Sequence, residues 1–587
     1  MKKSIILGLA TMMSLSLAAC SSQDAGEPTK PSYAAGTYTG SAPGMKGEVS
    51  VEVTFSEDAI QEVKVVSQQE TYGVGQGMTM TPVETLPGLI VEHQSLAIDT
   101  LTGATITSNA ILNAVSKAVE AAGGDVAALK AVEVKAENQD EVLDADVVIV
   151  GAGAAGLSAA IEAANAGAKV VVLEKQAIPG GATTLSGGKL LAAGTKYQEE
   201  QGFMGDTADA LFDYLKMVGE YGGEGLIDDA KLHEFTDNAL EDVNWLEDMG
   251  VNIINVEPIH SSITPWRVMN TLGGGGQTSG HGGQIIVPMV EELAKTEAQV
   301  LYNVSVNEVL MQDGAVAGVK GARPDGTSVQ VNAKAVIIAT GGYAQNREMT
   351  AHLGLDSYNT GVPRGNVGDG VTMAEKVGAQ VYQAPGAQAV YVSNTSGVGI
   401  NEESGLIVDD KGERFVDEFT YQSHVASALL RRGAQKAWYI ASANDPNPTV
   451  QYAMTLDSTL KAAAAEELAG LMGVDGEAFA AQVARYNELC SKGVDEDFNK
   501  PAEYMVPLEG ELYAIELSPS ITVTFGGLVT DLGSHVLDEN NEAIPGLYAA
   551  GEVAFTGLFG DEYPSCGLAI GSSVRYGRIA GINAANQ

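Results

Sequence analysis

The stretch DADVVIVGAGAAGLSAAIEAANAGAKVVVLEK, residues 144–175, constrains the fold more than any other part of the chain. Its apolar run Val147–Val150 predicts a buried parallel strand, and Val170–Leu173 predicts a second strand that ends at Glu174. Between them a small-residue helix follows a glycine loop formed by Gly151, Gly153 and Gly156. This order of strand, loop, helix, strand and terminal acid predicts a βαβ unit that holds a pyrophosphate at the helix N-terminus, with Glu174 on a ribose hydroxyl.

The N-terminus MKKSIILGLATMMSLSLAAC is typical of a bacterial lipoprotein signal. Two lysines precede an apolar stretch, and Leu17-Ala18-Ala19-Cys20 predicts cleavage before Cys20, with lipid on that thiol. An ordinary secretory peptide is the alternative. We expect residues 1–20 to be removed, residues 21–34 to form a linker, and the mature protein to be anchored outside the cytoplasmic membrane.

This location favours a bound flavin over NAD, because no cytosolic NADH pool is available there. Further motifs agree with a flavin: IPGGATTLSGG gives a second glycine loop, AVIIATGGY is a strand ending at Thr340, and GNVGDG contains Asp369. Late in the chain, GLYAAGEV ends at Glu552 and precedes CGLAIGSSVRYGRIAG.

Charge and cysteine content exclude several functions. The formal net charge is −42, which argues against nucleic-acid binding because no basic stripe could neutralise phosphates. The three cysteines are Cys20, Cys490 and Cys566, without a C-x-x-C-H or cluster spacing, so covalent haem and iron–sulfur centres are not expected. Cys490 and Cys566 are expected to be buried small hydrophobic residues.

Residues 143–587 resemble the flavoprotein subunit of fumarate reductase and its soluble relatives, flavocytochrome c, urocanate reductase and 3-ketosteroid dehydrogenases. The motifs above carry the resemblance, together with KGERFVDE and the C-terminal GRIAG. It implies a Rossmann-like FAD domain (143–380 and 526–587) with an inserted α+β capping domain (381–525). The implied FAD-binding residues are Gly151, Gly153, Ala155, Gly156, Glu174, Lys175, Gly181, Thr183, Ser186, Gly187, Gly188, Val304, Thr340, Gly341, Asp369, Glu552, Ala569 and Ile570.

The N-terminal stretch IDTLTGATITSNAI contains more hydroxyl side chains than a helix start needs. Ser108 or Asn109 alone would suffice as the cap of the helical run that follows. Residues 35–123 resemble the FMN-binding domain of flavinylated proteins, whose Asp-x-x-[Ser/Thr]-Gly-Ala-Thr motif matches Asp99 to Thr105. The resemblance implies a small α+β domain with FMN joined to Thr105 by a phosphoester, which requires an FMN transferase. Residues 124–142 are expected to be a helical spacer.

The pair of domains implies an electron path. FMN would accept electrons from a donor at the membrane and pass them to FAD, which would deliver hydride to an acceptor.

The substrate end departs from the fumarate reductase pattern. Fumarate is a dianion that needs several cations. Eight residues beyond Arg414, where the family has the arginine that acts as the catalytic acid, this chain has Gln422. Asn401 stands where an arginine would bind a carboxylate, and Val523 replaces a histidine. The family's Asn-Arg-Leu-Gly-Gly element is replaced by DEYPSCG. We therefore expect that fumarate and other dicarboxylates are not substrates.

The segment YPSCG, Tyr563–Gly567, resembles the Tyr-Pro-x-x-Gly element of ketosteroid dehydrogenases, where the tyrosine hydroxyl and the glycine N–H hold a ketone oxygen. Two neutral donors suit an uncharged carbonyl. The alternative for Tyr563 is packing on the flavin edge. Tyr421 is one position from the family acid and is the expected proton donor, with Tyr391 in reserve; either could instead be an ordinary core or surface tyrosine.

Together these patterns predict a lipid-anchored, two-flavin ene-reductase of anaerobic respiration acting on an α,β-unsaturated carbonyl compound. The alternatives are an acrylate reductase of urocanate or fumarate type, a dehydrogenase running the reverse reaction, and a non-enzymatic electron carrier.

Overall fold

The computed structural model describes residues 32–132, 134, 139–221, 223–257, 268–271, 282–354, 359–392, 405–420 and 422–587. Among these residues, no helix combines the length and the apolar character needed to cross a membrane.

A three-stranded antiparallel sheet and two main helices form the N-terminal domain. Alternating valines of its middle strand are buried, as the period-2 pattern predicts. Its elements are β1 (Gly36–Pro43), β2 (Glu48–Phe55), β3 (Ile60–Ser67), α1 (Pro82–His93), α2 (Thr105–Ala121) and α3 (Val126–Lys130).

Two details of this domain differ from the sequence-based expectation. Tyr33, expected in the linker, is buried, and its ring centroid lies 4.7 Å from that of Phe55, because the aromatic ring closes the end of the apolar core. Helix α2 begins at Thr105 rather than after Ser108. The Ser108 hydroxyl donates to the Ala104 carbonyl at 3.0 Å within the first turn, so it is a helix residue and not a cap.

The central domain is built on a six-stranded sheet of order β10-β6-β5-β14-β22-β21, in which every pair except β21–β22 is parallel. The strands up to residue 338 are β4 (Glu141–Asp144), β5 (Val147–Val150), β6 (Val170–Leu173), β7 (Lys189–Leu191), β8 (Ile253–Glu257), β9 (Val268–Thr271), β10 (Gln299–Leu301), β11 (Ser305–Gln312), β12 (Ala315–Ala322), β13 (Ser328–Asn332) and β14 (Ala335–Ile338). The helices up to residue 375 are α4 (Ala154–Asn165), α5 (Gly181–Leu185), α6 (Lys196–Glu200), α7 (Ala208–Gly219), α8 (Asp229–Asp248), α9 (Gly283–Leu293), α10 (Arg347–Thr350) and α11 (Asp369–Glu375).

In the residues that the structure describes, the capping domain consists of a mixed sheet and four α-helices. Its elements are β15 (Asn359–Thr360), β16 (Val381–Val392), β17 (Leu406–Asp409), α12 (Gln422–Arg431), β18 (Ala437–Ser442), α13 (Pro448–Met454), β19 (Leu460–Ala462), α14 (Ala465–Met472), α15 (Gly476–Lys492) and β20 (Leu512–Leu528). The chain then returns to the central domain through β21 (His535–Leu537), β22 (Ala543–Ala549) and α16 (Leu568–Ala585).

Domain boundaries in the structure follow strand pairing. The expected boundary between residues 525 and 526 falls inside β20, a continuous strand that pairs with β16, β18 and β19 and crosses from the cap to the central domain. The expected spacer 124–142 contains α3 and the first residues of β4, because β4 adds as a parallel strand to β13. The carboxyl ends of β5, β6, β14 and β22 meet at one edge of the six-stranded sheet, which is where a ligand binds in such folds.

Candidate active site

The glycine loop after β5 opens a cavity at this edge. Gly151 has φ +107°, and a Cβ on it would lie 2.3 Å from the Ala339 carbonyl oxygen at the end of β14, so only glycine lets the two strand ends approach. Helix α4 begins at Ala154 and directs its N-terminus, with its positive partial charge, at the cavity.

Glu174 lies at the end of β6 and is buried. Its carboxylate accepts hydrogen bonds from the backbone N–H groups of Ala152, at 2.8 Å, and of Gln176, at 2.7 Å. Burial raises its pKa. The neighbouring Lys175 forms an ion pair with Asp369 and donates to the Gly365 carbonyl at 3.1 Å. These contacts connect the end of β6 to the start of α11, and together they form one wall of the cavity.

Most of the predicted cofactor residues line this first cavity. The lining includes the predicted residues Gly151, Gly153, Ala155, Glu174, Lys175, Gly181, Thr183, Val304, Thr340, Gly341, Asp369 and Glu552. Gly156 does not line it: a Cβ there would lie 1.9 Å from the Gly151 carbonyl oxygen, so this glycine allows the helix to pack on the loop.

The first cavity fits an FAD. A Cβ added at Gly181 would meet nothing within 4 Å, so this glycine leaves space at the wall of the first cavity. Within the described part of the chain, the buried hydroxyl of Thr340 has no hydrogen-bond partner although it lines the cavity. A buried polar atom of this kind needs a partner, and a ligand's phosphate or ribose oxygen would supply one.

A second cavity of about 480 Å³ continues from the first and lies between the central domain and the cap. The two cavities share Ala182, Thr183, Glu552 and Ser573. The predicted residues Ser186, Gly187, Gly188, Ala569 and Ile570 line the second cavity, as do Tyr563 and Gly567. The cap contributes Gln388 and part of β20, including Val523.

Charge is scarce in the second cavity. Among its lining residues the charged ones are Lys189 and Glu552. Glu552 is buried, and its carboxylate accepts from the Thr524 backbone N–H and from the Thr524 hydroxyl, both at 2.8 Å. Burial raises the pKa of Glu552.

Tyr563 is held by a stack of aromatic rings. Its ring centroid lies 5.4 Å from that of Phe559 and 6.3 Å from that of Phe525, with near-parallel planes. The Tyr563 hydroxyl accepts from the Ala569 backbone N–H at 3.4 Å, so its own hydrogen can be donated elsewhere. Burial raises the pKa of Tyr563, which keeps the hydroxyl protonated at neutral pH.

Gly567 precedes α16 with φ +93°. A Cβ there would lie 2.7 Å from the backbone of Leu190, so a side chain cannot be accommodated. Its backbone therefore reaches the cavity wall next to the N-terminus of α16, a region of positive partial charge.

A clasp between the cap and residues 561–563 holds the Tyr563 loop. In α12, the Ser423 hydroxyl donates to the Tyr563 carbonyl at 3.3 Å, and His424 Nδ1 lies 2.8 Å from the buried carboxylate of Glu562. Arg431, at the end of the same helix, donates to Glu562 at 2.7 Å. We call Ser423, His424, Arg431 and Glu562 the α12 clasp. No motif in the sequence predicts the α12 clasp, although Glu562 lies within the DEYPSCG segment.

Several predicted substrate residues are not placed by the structure. Tyr421 and Asn401 lie outside the described residues, and the side chains of Tyr391 and Gln422 are likewise not described. The backbone of Tyr391 pairs with Pro519 within the cap sheet. Cys566, expected to be buried, is exposed and lines the second cavity, because it lies in the turn between the buried Tyr563 and the start of α16.

The flavinylation motif stands at the start of α2. Thr105 and Asp99 are exposed, whereas Ala104 is buried. Ser108 closes the turn by accepting from the Leu101 N–H at 3.2 Å. The threonine hydroxyl is thus accessible to a modifying enzyme while its neighbours are fixed.

Comparison with known proteins agrees with this geometry. Residues 146–570 match the FAD binding domain family, and residues 44–120 match the FMN-binding domain family. The chain belongs to this FAD-binding family. It also carries an FMN-binding domain, in which covalent attachment of the flavin is typical.

Named relatives of the chain are reductases. It is 31% identical to urocanate reductase of Eggerthella lenta, over 93% of this chain and 92% of that protein. It is 33% identical to fumarate reductase (cytochrome) of Shewanella frigidimarina, over 75% of this chain and 77% of that protein. The chain is therefore an FAD-dependent reductase with two flavin domains.

Solved structures resemble the central and capping domains. A 3-ketosteroid-Δ4-(5α)-dehydrogenase from Rhodococcus jostii RHA1 has a TM-score of 0.65 and 27% identity, and the match covers 77% of this chain and 99% of that chain. An open flavocytochrome c3 fumarate reductase has a TM-score of 0.61 and 27% identity, over 76% and 78% of the two chains. The predicted fold class is confirmed.

Proposed function

We propose that this protein is an extracytoplasmic ene-reductase that reduces the carbon–carbon double bond of a neutral α,β-unsaturated carbonyl compound. The observation that carries the proposal is the second cavity: it brings the Tyr563 hydroxyl and the backbone of Gly567 to one wall, and its lining includes few charged groups. Neutral hydrogen-bond donors in a closed site suit a ketone or aldehyde oxygen.

Each donor has a defined role in this proposal. Tyr563 and the N–H of Gly567 donate hydrogen bonds to the carbonyl oxygen, and they stabilise the negative charge that develops there as the β-carbon accepts hydride. The raised pKa of Tyr563 ensures that it donates rather than ionises. A bound FAD supplies the hydride. Tyr421 remains the proposed proton donor to the α-carbon, with Tyr391 as the reserve.

The charge of the cavity argues against a dicarboxylate. Among the described residues that line it, Lys189 is the one cation, and Val523 stands where the resemblance leads us to expect a histidine. Each missing charged hydrogen bond costs on the order of 1.5–3 kcal/mol. A dianion such as fumarate would lose several of them at once.

Electron supply and location belong to the same proposal. FMN on Thr105 receives electrons from a membrane or extracytoplasmic donor, after an FMN transferase has attached it. Lipid on Cys20, which lies outside the described residues, anchors the mature protein on the outer side of the cytoplasmic membrane. This arrangement suits anaerobic respiration.

One observation favours a second candidate, an acrylate reductase. Lys189 lines the cavity, and a single cation could bind the carboxylate of a monoanionic acrylate such as urocanate, the substrate in the name of a 31% identical relative.

An anaerobic assay with reduced methyl viologen as electron donor separates these candidates. We expect turnover with at least one neutral enone, such as 4-androstene-3,17-dione or a smaller cyclic enone, and negligible turnover with fumarate. Turnover confined to urocanate or cinnamate would favour the acrylate reductase. Turnover with none of them, while both flavins are bound, would favour an electron carrier.

A further inference from the structure

We infer that a small apolar surface between the N-terminal domain and the FAD domain is the docking face across which electrons pass from FMN to FAD. The inference rests on the proposed attachment of FMN at Thr105. The surface, named here the flavin-bridging face, is formed by Val74, Met80, Leu101 and Ala104 of the N-terminal domain and by Ile178 and Leu185 of the FAD domain.

The contact at the flavinylation motif is specific. Ala177 donates its backbone N–H to the Thr102 carbonyl at 3.4 Å, which joins the two domains one residue from Gly103. A Cβ on Gly103, whose φ is +98°, would lie 3.4 Å from the Ile178 side chain. The motif that presents Thr105 is therefore itself part of the interface.

A second contact fixes the orientation of the domain. A Cβ on Gly73 would lie 2.9 Å from Gly283 Cα, and a Cβ on Gly283 would lie 2.2 Å from the Tyr72 carbonyl oxygen. Backbone packs directly on backbone at this point. Two separate contacts, at residues 72–73 and at residues 102–104, prevent rotation about either one.

The docking face covers the wall of the FAD site. On its FAD-domain side, Gln176 and Thr183 line the first cavity, and Leu185 lines the second. Ile178 lies between these residues in the chain and is buried. Thr105 is exposed, and the residue before it, Ala104, belongs to the flavin-bridging face.

The proposed transfer from FMN to FAD is balanced in electrons. Two electrons leave reduced FMN, which becomes oxidised, and the same two electrons reduce FAD; protons exchange with solvent at each flavin. No further reactant is required once a donor has reduced FMN.

The test compares full-length protein carrying both flavins with the variant Ile178→Glu. Burying a charge in place of a buried isoleucine should lower the ratio of docked to undocked domain by about tenfold or more. We expect the Ala177 amide to lose protection from hydrogen exchange and the radius of gyration by X-ray scattering to increase. After flash reduction with 5-deazariboflavin, relaxation between the flavins should slow by about the same factor.

Matched variants separate docking from folding. Met80→Glu places a charge on the N-terminal-domain side of the flavin-bridging face, away from the FAD cavity. It should reproduce the loss of Ala177 protection, the larger radius of gyration and the slower interflavin relaxation. Val66→Glu adds the same charge at an exposed position of β3 and should leave all three measurements unchanged. Covalent FMN and extractable FAD are quantified in each variant.

Unchanged Ala177 protection and unchanged interflavin relaxation in both Ile178→Glu and Met80→Glu would overturn the inference. Loss of docking without slower relaxation would also overturn it, because the face would then be structural only. Neither measurement uses an acceptor, so failure of the proposed enone reduction would be seen separately.

Discussion

Replacing Tyr563 by phenylalanine removes one hydroxyl from the second cavity and leaves the aromatic ring. The stack with Phe559 and Phe525 depends on the ring alone and should be retained. The Ala569 N–H loses an acceptor at 3.4 Å, a long hydrogen bond, so the free energy of unfolding should fall by at most about 1 kcal/mol. FAD should stay bound.

The chemical step should be affected far more than stability. Removal of one donor that meets developing charge typically lowers turnover by about 10²–10³-fold. The measurement is stopped-flow re-oxidation of FAD by the acceptor that the methyl viologen screen identifies. FMN-to-FAD transfer should be unchanged, because the docking face does not include Tyr563.

A matched control is available in Tyr214, whose hydroxyl donates to the Pro564 carbonyl at 3.3 Å. Tyr214→Phe loosens the same loop without removing a group that lines the cavity, so it should change re-oxidation much less. If Tyr563→Phe re-oxidises FAD at close to the wild-type rate, or if Tyr214→Phe is equally slow, Tyr563 is a packing residue and does not polarise the carbonyl of the acceptor.

Three further predictions concern other parts of the molecule. Thr105→Val should abolish the in-gel flavin fluorescence of denatured protein while FAD remains extractable; a fluorescent full-length band would contradict attachment at Thr105. Glu562→Gln weakens the α12 clasp at His424 and Arg431, so kcat should fall more than KM rises. Glu562→Asp keeps the negative charge and should restore part of the lost kcat. Equal changes in the Gln and Asp variants would show that the clasp is only a structural contact. Burial lowers the pKa of Lys231 from 10.5 to about 8. Between these pH values the unfolded state binds more protons than the folded state, so the free energy of unfolding should rise with pH from about 8 to 10.5. Urea denaturation should show this rise in the wild-type protein and not in Lys231→Met.

The sequence predicted the parts of the fold that depend on local pattern. The run from Val147 to Glu174 combines glycine spacing, strand length and a terminal acid, and each feature has a local physical cause, so the βαβ unit could be read directly. Tyr563 and Gly567 of the short YPSCG segment line the same second cavity, and their contact with a substrate carbonyl stays a prediction.

Contacts between distant segments could not be read in this way. Glu562 pairs with His424 and Arg431, more than a hundred residues earlier, and neither partner belongs to a periodic or motif-like pattern. The long strand β20 likewise crosses the domain boundary after residue 525 that the family resemblance implied. Cys566 was expected in the core because cysteine is usually buried, but the turn that positions Tyr563 leaves it exposed.

A single-turnover experiment shows whether the reduced protein transfers its electrons to a neutral unsaturated carbonyl compound. The protein is reduced under anaerobic conditions, freed of excess reductant and mixed with a neutral enone or with fumarate, while the oxidised-flavin absorbance and the product mass are followed. We expect that an enone restores the absorbance and gains two hydrogens across its double bond, whereas fumarate leaves the flavins reduced. Rapid re-oxidation by fumarate with formation of succinate, and none by any neutral enone, would show that the protein is a dicarboxylate reductase instead.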